Sequence, residues 1–147
     1  MSVSVYVCAH DVRVALAAAR VEAIARATLA FEHVRDAMLS ITFVSDAVIA
    51  RLNAKHLGHR GATDVISFGF RSPGKRAPVI GDIYIAPAVA RANALKHGVP
   101  VREELARLVV HGSLHVLGYE HPDADARTNS PMWKRQERVL ARLLASA

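Results

Sequence analysis

The chain of 147 residues is long enough to bury most of its apolar surface as one domain over residues 1–147. Its one cysteine excludes an internal disulfide framework, and no apolar run reaches the roughly 18–20 residues that a membrane span requires. We therefore expect a cytoplasmic protein without a membrane partner. The formal charge of +6 is compatible with a nucleic-acid partner, although many Arg-rich proteins bind none.

The first half of the chain alternates between predicted strands and helices. The segment SVSVYVC predicts a strand in which Cys8 is buried, and a helix follows with Asp11 as a possible N-cap. The β-branched segment LSITFVS predicts a second strand. Ser45 then introduces a helix that ends near Gly58. The segments TDVISFGF and VIGDIYIA predict two more strands, which the turn-rich segment RSPGKRAP separates.

Three predicted helices complete the chain. The first follows Pro87 and stops at Gly98, and the second starts at Pro100 and runs to Gly118. The segment MWKRQERVLARLLA predicts the last helix. This order predicts an α/β (α+β) single domain in which a mixed four-stranded sheet packs against about five helices.

The segment HGSLHVLGYEH, residues 111–121, contains three histidines. On a helix, His111 and His115 lie on one face, about 40° apart around the axis and about 6 Å apart along it. A straight helix would carry His121 about 15 Å from His111, whereas zinc–nitrogen bonds are about 2.0–2.1 Å long. Gly118 is suited to turn the chain back, because glycine enters the left-handed conformation without steric cost. The spacing therefore predicts one metal ion on His111, His115 and His121.

This ligand set indicates the kind of metal site. Three neutral imidazoles leave a fourth position open, which is typical of a catalytic site. Zinc, one ion per chain, is the expected metal, with nickel, copper and cobalt as alternatives. Zinc proteases of this spacing carry Glu directly after the first His as a general base, but this chain has Gly112 there. Proteolysis by the usual mechanism is therefore disfavoured. Ser113 is interpreted as structural, because a helix turns its hydroxyl away from the histidine face.

The histidine segment resembles HGxLHLxGYDH, the signature of the YbeY family of bacterial endoribonucleases, and differs from it at Val116 and Glu120. The segments LNAKHLGHRGATDVISF, GDIYIA and MWKRQERVL are similar to other family segments, so the resemblance runs from Thr42 to Leu144. It implies an α/β fold, a zinc-like ion on the three histidines and single-stranded RNA as substrate. It also implies trimming of the 3′ end of small-subunit (16S) ribosomal RNA, a role in ribosome quality control, and the small ribosomal subunit as partner. No nucleotide cofactor is expected.

One position departs from the family pattern. The family has an arginine four residues after the Asn of LN, and this chain has Leu57 there. His59 and Arg60 follow closely and could supply a hydrogen-bond donor or a cation to the same cleft. We therefore take both as candidate catalytic residues.

Basic and acidic residues supply further candidates. Arg71, Lys75 and Arg76 are the candidate RNA-binding residues of one basic loop. For the basic residues of the last helix we favour a solvated face; they are Lys134, Arg135, Arg138 and Arg142. We expect Asp64 to cap the loop before its strand rather than to hold an imidazole, and Asp82 to be structural.

Three functions stay open at this point. The leading one is a metal-dependent endoribonuclease that acts on ribosomal RNA. The second is a ribosome-assembly binding factor with a mainly structural metal, which Leu57 favours. The third is a metal-dependent hydrolase of another substrate, because zinc hydroxide is chemically promiscuous. The sequence carries no signal of the oligomeric state.

Overall fold

Nine elements follow one another in the predicted order in the computed structural model, which describes residues 2–71, 77–120 and 130–145. They are β1 (Val3–Ala9), α1 (Ala18–Phe31), β2 (Ala37–Phe43), α2 (Asp46–Leu57), β3 (Val65–Arg71), β4 (Val79–Ile85), α3 (Pro87–His97), α4 (Val101–Val116) and α5 (Pro131–Ala145). The predicted α/β class with a four-stranded mixed sheet is confirmed. None of the helices in the described ranges combines the length and the apolarity needed to cross a bilayer.

The sheet has the strand order β1-β2-β4-β3. The strands β1, β2 and β4 run parallel, and β3 pairs antiparallel with β4 at the far edge. Alternate residues of the central strands are fully buried, among them Leu39, Ile41, Ile83 and Ile85. They form the main core with apolar side chains of α1 and α4. The sheet therefore serves as the base on which α4 lies.

Two paired glycines let the end of α4 approach the sheet closely. Gly69 of β3 faces Gly81 of β4. A Cβ atom on Gly69 would lie 2.9 Å from the Val116 carbonyl oxygen, and one on Gly81 would overlap Val116 Cγ1. The two strands thus leave a space that Val116 fills. Because Val116 directly follows His115, this contact fixes the histidine end of α4 against the sheet.

Two local predictions are wrong. The first helix begins at Ala18, and Asp11 adopts a left-handed backbone conformation, with φ 54°, instead of capping it. The segment between them is irregular, and its alternating residues Val12, Val14 and Leu16 are partly buried against the core. Cys8 is exposed, because β1 is an edge strand and Cys8 lies on its outer face.

Candidate functional site

His111 and His115 lie one turn apart on α4, with ring centroids 4.7 Å apart and ring planes at 78°. Two nitrogens that bind one zinc ion tetrahedrally at about 2.0–2.1 Å are roughly 3.3 Å apart, and rings at this separation can reach that distance. Gly118 has a φ of 104°, and its N–H donates to the His115 carbonyl oxygen at 2.9 Å. The predicted glycine turn after the histidine pair is therefore confirmed.

The third predicted ligand, His121, lies outside the described residues. Within the ranges that the structure describes, no three His, Cys, Asp or Glu side chains converge to hold a metal ion. The pair on α4 fits two sites of a zinc coordination sphere. The complete triad stays a prediction.

Tyr119 anchors the chain directly after the glycine turn. Its hydroxyl donates to Glu32 Oε1 at 2.5 Å, and Arg135 Nε donates to Glu32 Oε2 at 2.6 Å. The hydrogen bond to the Glu32 carboxylate, together with burial, raises the pKa of Tyr119. The end of α1 and the face of α5 thus hold the backbone two residues before His121. No local pattern in the sequence indicates this cluster, because Tyr119 and Arg135 are 87 and 103 residues from Glu32.

Gln136 of α5 orients the first histidine. Its side chain is 1% exposed, and its Oε1 lies 2.6 Å from His111 Nδ1. Gln136 Nε2 donates to Glu137 Oε2 at 3.0 Å, so the amide oxygen faces the imidazole and must accept its proton. The proton therefore sits on Nδ1, and Nε2 carries the lone pair. This is the imidazole form that binds a metal through Nε2.

An ion-pair network extends from Gln136 along α4. Arg107 donates to both carboxylate oxygens of Glu137, from Nε at 3.0 Å and from Nη2 at 3.2 Å. Burial works against the charge of Arg107, but its hydrogen bonds to Glu137 and Glu103 and the nearby carboxylate charges together outweigh this effect and raise its pKa. Arg107 therefore stays cationic and holds Glu137 in place. The position of Gln136, which bonds Glu137, is fixed in turn.

The two residues after His111 face the protein interior. A Cβ atom on Gly112 would lie 2.7 Å from Ile83 Cγ2 of β4, so this position cannot carry the glutamate of a zinc protease without moving α4 off the sheet. Ser113 is fully buried, and its hydroxyl donates to the Val109 carbonyl oxygen at 2.7 Å. Its structural interpretation is confirmed.

A cleft of about 330 Å³ opens beside His111 between α3, α4 and α5. Its described lining consists of Asp64, Val65, Asn93, His97, Val99, Glu104, Arg107, Leu108, His111, Trp133, Gln136 and Glu137. The Asp64 carboxylate accepts a hydrogen bond from Asn93 Nδ2 at 3.2 Å. Asp64, which directly precedes β3, thus bonds a side chain of α3 and does more than cap its loop.

Comparison with known proteins identifies the family. A family model described as Endoribonuclease YbeY matches residues 8–144. The chain belongs to the YbeY endoribonuclease family. A relative named Endoribonuclease YbeY from Methylocella silvestris is 41% identical over 109 residues, which cover 74% of this chain and 60% of that protein. The relative of the same name from Desulforamulus reducens is 36% identical over 131 residues, 84% of each protein. This chain therefore aligns with less than two thirds of the Methylocella relative's length.

The fold has a counterpart among solved structures. The solution structure of TM1509 from Thermotoga maritima matches with a TM-score of 0.61 over 97% of this chain and 90% of that one. The two sequences are 20% identical, so this similarity supports the fold alone.

The candidate catalytic residues of this YbeY family member lie in the loop between α2 and β3. His59 and Arg60 are exposed and are not part of the described cleft lining. Asn53 holds this loop, because its Nδ2 donates to the Gly61 carbonyl oxygen at 3.0 Å. Leu57, at the position of the family arginine, is 48% exposed. The catalytic roles of His59 and Arg60 stay predictions.

The basic candidates have different positions. Arg71 ends β3, its side chain is outside the described part, and Lys75 and Arg76 lie beyond that part altogether. In α5, the solvated-face interpretation is wrong for Arg135, which pairs with Glu32 and is 27% exposed. Asp82 lies on the sheet face opposite α4, because the glycine and isoleucine beside it face that helix.

Proposed function

We propose that this protein is a zinc-dependent endoribonuclease that cuts single-stranded ribosomal RNA in the cytoplasm. Its role would be 3′-end maturation of 16S ribosomal RNA and ribosome quality control, with the small ribosomal subunit as partner. The main support is the His111–His115 pair, with His111 held by Gln136 in its metal-binding form beside an open cleft. Membership of the YbeY family supplies the reaction class.

The proposed mechanism assigns a task to each group of residues. His111, His115 and His121 would hold one zinc ion, which when bound supplies Lewis-acid chemistry at a phosphodiester. Gln136 keeps the His111 lone pair on Nε2. His59 and Arg60 would donate hydrogen bonds to phosphate oxygens. The residue after His111 cannot transfer a proton because it is glycine, and no protein nucleophile is required.

The first experiment is cleavage of a labelled single-stranded 3′-end fragment of 16S ribosomal RNA by the purified protein. His115→Ala and a chelator are expected to abolish cutting, while Ser113→Ala, a buried change on the same helix, is expected to retain it. Metal content is measured on the same preparations. A wild-type protein that contains metal and does not cut, alone or on small ribosomal subunits, would refute the proposal.

A second candidate function is a ribosome-assembly factor in which the metal is structural. The observation that favours it is the exposed Leu57, which replaces a family cation with an apolar side chain. In that case His115→Ala should unfold or loosen the domain. In the enzymatic case the variant should keep its circular dichroism spectrum and lose cleavage alone.

A further inference from the structure

The cleft beside His111 has a chemistry distinct from that of the histidine pair. We propose that it binds one nucleobase of the RNA substrate, namely a base that carries an exocyclic amino group. This inference rests on the proposed function, because it assigns the cleft to the nucleotide next to the phosphodiester that is cut. His111 lines the cleft and is also a predicted metal ligand, so the two sites share a wall.

The charge of the cleft selects against phosphate. Three carboxylates line it, from Asp64, Glu104 and Glu137, and Arg107 is the one lysine or arginine in the described lining. Arg107 is already engaged by Glu137 and by Glu103, at 3.0 Å and 3.3 Å. The cleft is thus acidic within a chain whose formal charge is +6. Phosphates would be repelled here, whereas an uncharged base with N–H donors would be attracted.

Glu104 is a mostly buried carboxyl group in the lining of the cleft. It is 6% exposed, and its ion pair with Arg107 Nη1 is 3.8 Å long. Among the described residues, none donates a hydrogen bond to its carboxylate within hydrogen-bonding distance. Burial of the side chain raises the pKa of Glu104, and its carboxyl oxygens stay available as acceptors for a group that enters the cleft. An amino group of guanine, adenine or cytosine would supply the donor, and guanine offers two adjacent N–H groups.

Trp133 supplies a stacking surface in the same cleft. It is partly buried on α5, lines the cleft, and is the one tryptophan of a chain that is poor in aromatic residues. Single-stranded RNA is commonly bound by stacking of bases on aromatic rings. The volume of about 330 Å³ is at the lower end of the roughly 300–1,000 Å³ of small-molecule sites. It suits a single base rather than a stack of bases.

Orienting hydrogen bonds complete the site. Asn93 Nδ2 donates to Asp64 Oδ2 at 3.2 Å, so the Asn93 amide is fixed with respect to the cleft. His97 Nδ1 donates to the main-chain carbonyl oxygen of Asn93 at 2.9 Å, because a carbonyl oxygen can only accept. These bonds hold polar groups in place before a base arrives, which lowers the entropic cost of binding.

The test measures binding without cleavage. Hexanucleotides with 2′-O-methyl riboses carry a single guanosine, uridine or abasic position, and their affinities for the metal-loaded protein are compared by fluorescence anisotropy. The guanosine oligomer is expected to bind most tightly and to quench the emission of Trp133, which can be assigned because no other tryptophan is present. Trp133→Ala should weaken its binding about 5-fold or more, and Trp133→Phe should restore most of that loss.

A matched pair of glutamates tests the polar contact. Glu104→Gln should reduce the preference for guanosine over uridine. Glu103→Gln, which also removes a partner of Arg107 but lies outside the cleft lining, should leave that preference unchanged. Equal effects of the two changes, or Trp133 emission that saturating oligomer does not alter, would overturn the inference. If the protein cuts ribosomal RNA without any base effect, this inference fails alone. If it neither binds nor cuts RNA, the proposed function fails with it.

Discussion

Replacement of Gln136 by Leu is the most direct perturbation of the candidate metal centre. The change keeps the approximate size of a side chain that is 1% exposed, and it removes the amide oxygen that accepts the His111 Nδ1 proton. His111 can then place its proton on either nitrogen and rotate. The neutral imidazole can then carry its proton on Nε2, the nitrogen that must bind the metal.

The expected loss of zinc affinity follows from the hydrogen bond between His111 Nδ1 and Gln136 Oε1. Loss of such a partner typically weakens metal binding about 10–100-fold, which is about 1.4–2.7 kcal/mol. Because saturating metal stabilises the native state in proportion to the logarithm of its affinity, the metal-dependent gain in unfolding free energy should fall by a similar amount. Without metal, the unpaired Nδ1 proton should cost about 1–3 kcal/mol.

Zinc affinity is measured by competition with a chromogenic chelator, and thermal unfolding is followed with and without zinc. Gln136→Glu keeps an acceptor opposite Nδ1 and should bind zinc at least as tightly as the wild type. Ser113→Ala removes a buried hydrogen bond on the same helix, so it should lower stability without changing zinc affinity. Equal zinc affinity of Gln136→Leu and the wild type would refute the assignment of the His111 tautomer.

Two further predictions concern packing and pH. Gly112→Ala would place a Cβ atom 2.7 Å from Ile83 Cγ2. The free energy of unfolding measured in urea should therefore fall by about 1–3 kcal/mol. Unchanged stability would contradict the close contact of α4 with the sheet. Burial raises the pKa of Glu104 above its ordinary 4.5, so its contribution to stability is complete below pH 4.5 and is lost as the pH rises through the raised pKa. The stability of Glu104→Gln relative to the wild type should therefore increase as the pH rises from 4.5 to neutrality. If the unfolding free energies of the two proteins change in parallel with pH, the burial of the Glu104 carboxyl group is contradicted.

The fold could be predicted well wherever the local pattern and the tertiary environment agree. The helix end at Gly118 follows from a requirement of geometry, and the structure has a positive φ there. The prediction failed at Asp11 and Cys8, where a local preference competed with packing. Asp11 is a good cap residue, but the apolar residues after it pack partly buried against the core in an irregular segment, so the helix starts later. Cys8 has a buried residue type, but it lies on the outer face of an edge strand.

The candidate site was only partly accessible from the sequence. The pair on α4 follows from a spacing of four residues, whereas Gln136 and Glu32 are 25 and 87 residues from the side chains that they hold. Such contacts depend on how α1 and α5 pack against α4, which no local pattern specifies. One signal was available for Gln136: it is a polar residue in the buried stripe of α5, between Met132 and Val139. A polar residue in an apolar stripe usually has a specific hydrogen-bond partner.

The packing of α4 bears on whether the metal is structural or catalytic. The helix is held to the sheet where Val116 fills the space over Gly81, and it is held to α5 by the Arg107–Glu137 pair. Neither contact passes through a histidine. A structural zinc ion supplies folding free energy that the rest of the domain lacks, whereas these contacts already hold α4 to the sheet and to α5 without the ion. Removal of the metal should therefore leave the circular dichroism spectrum intact and lower the unfolding temperature only by the loss of ligand binding. Unfolding on chelation would favour the assembly factor over the nuclease.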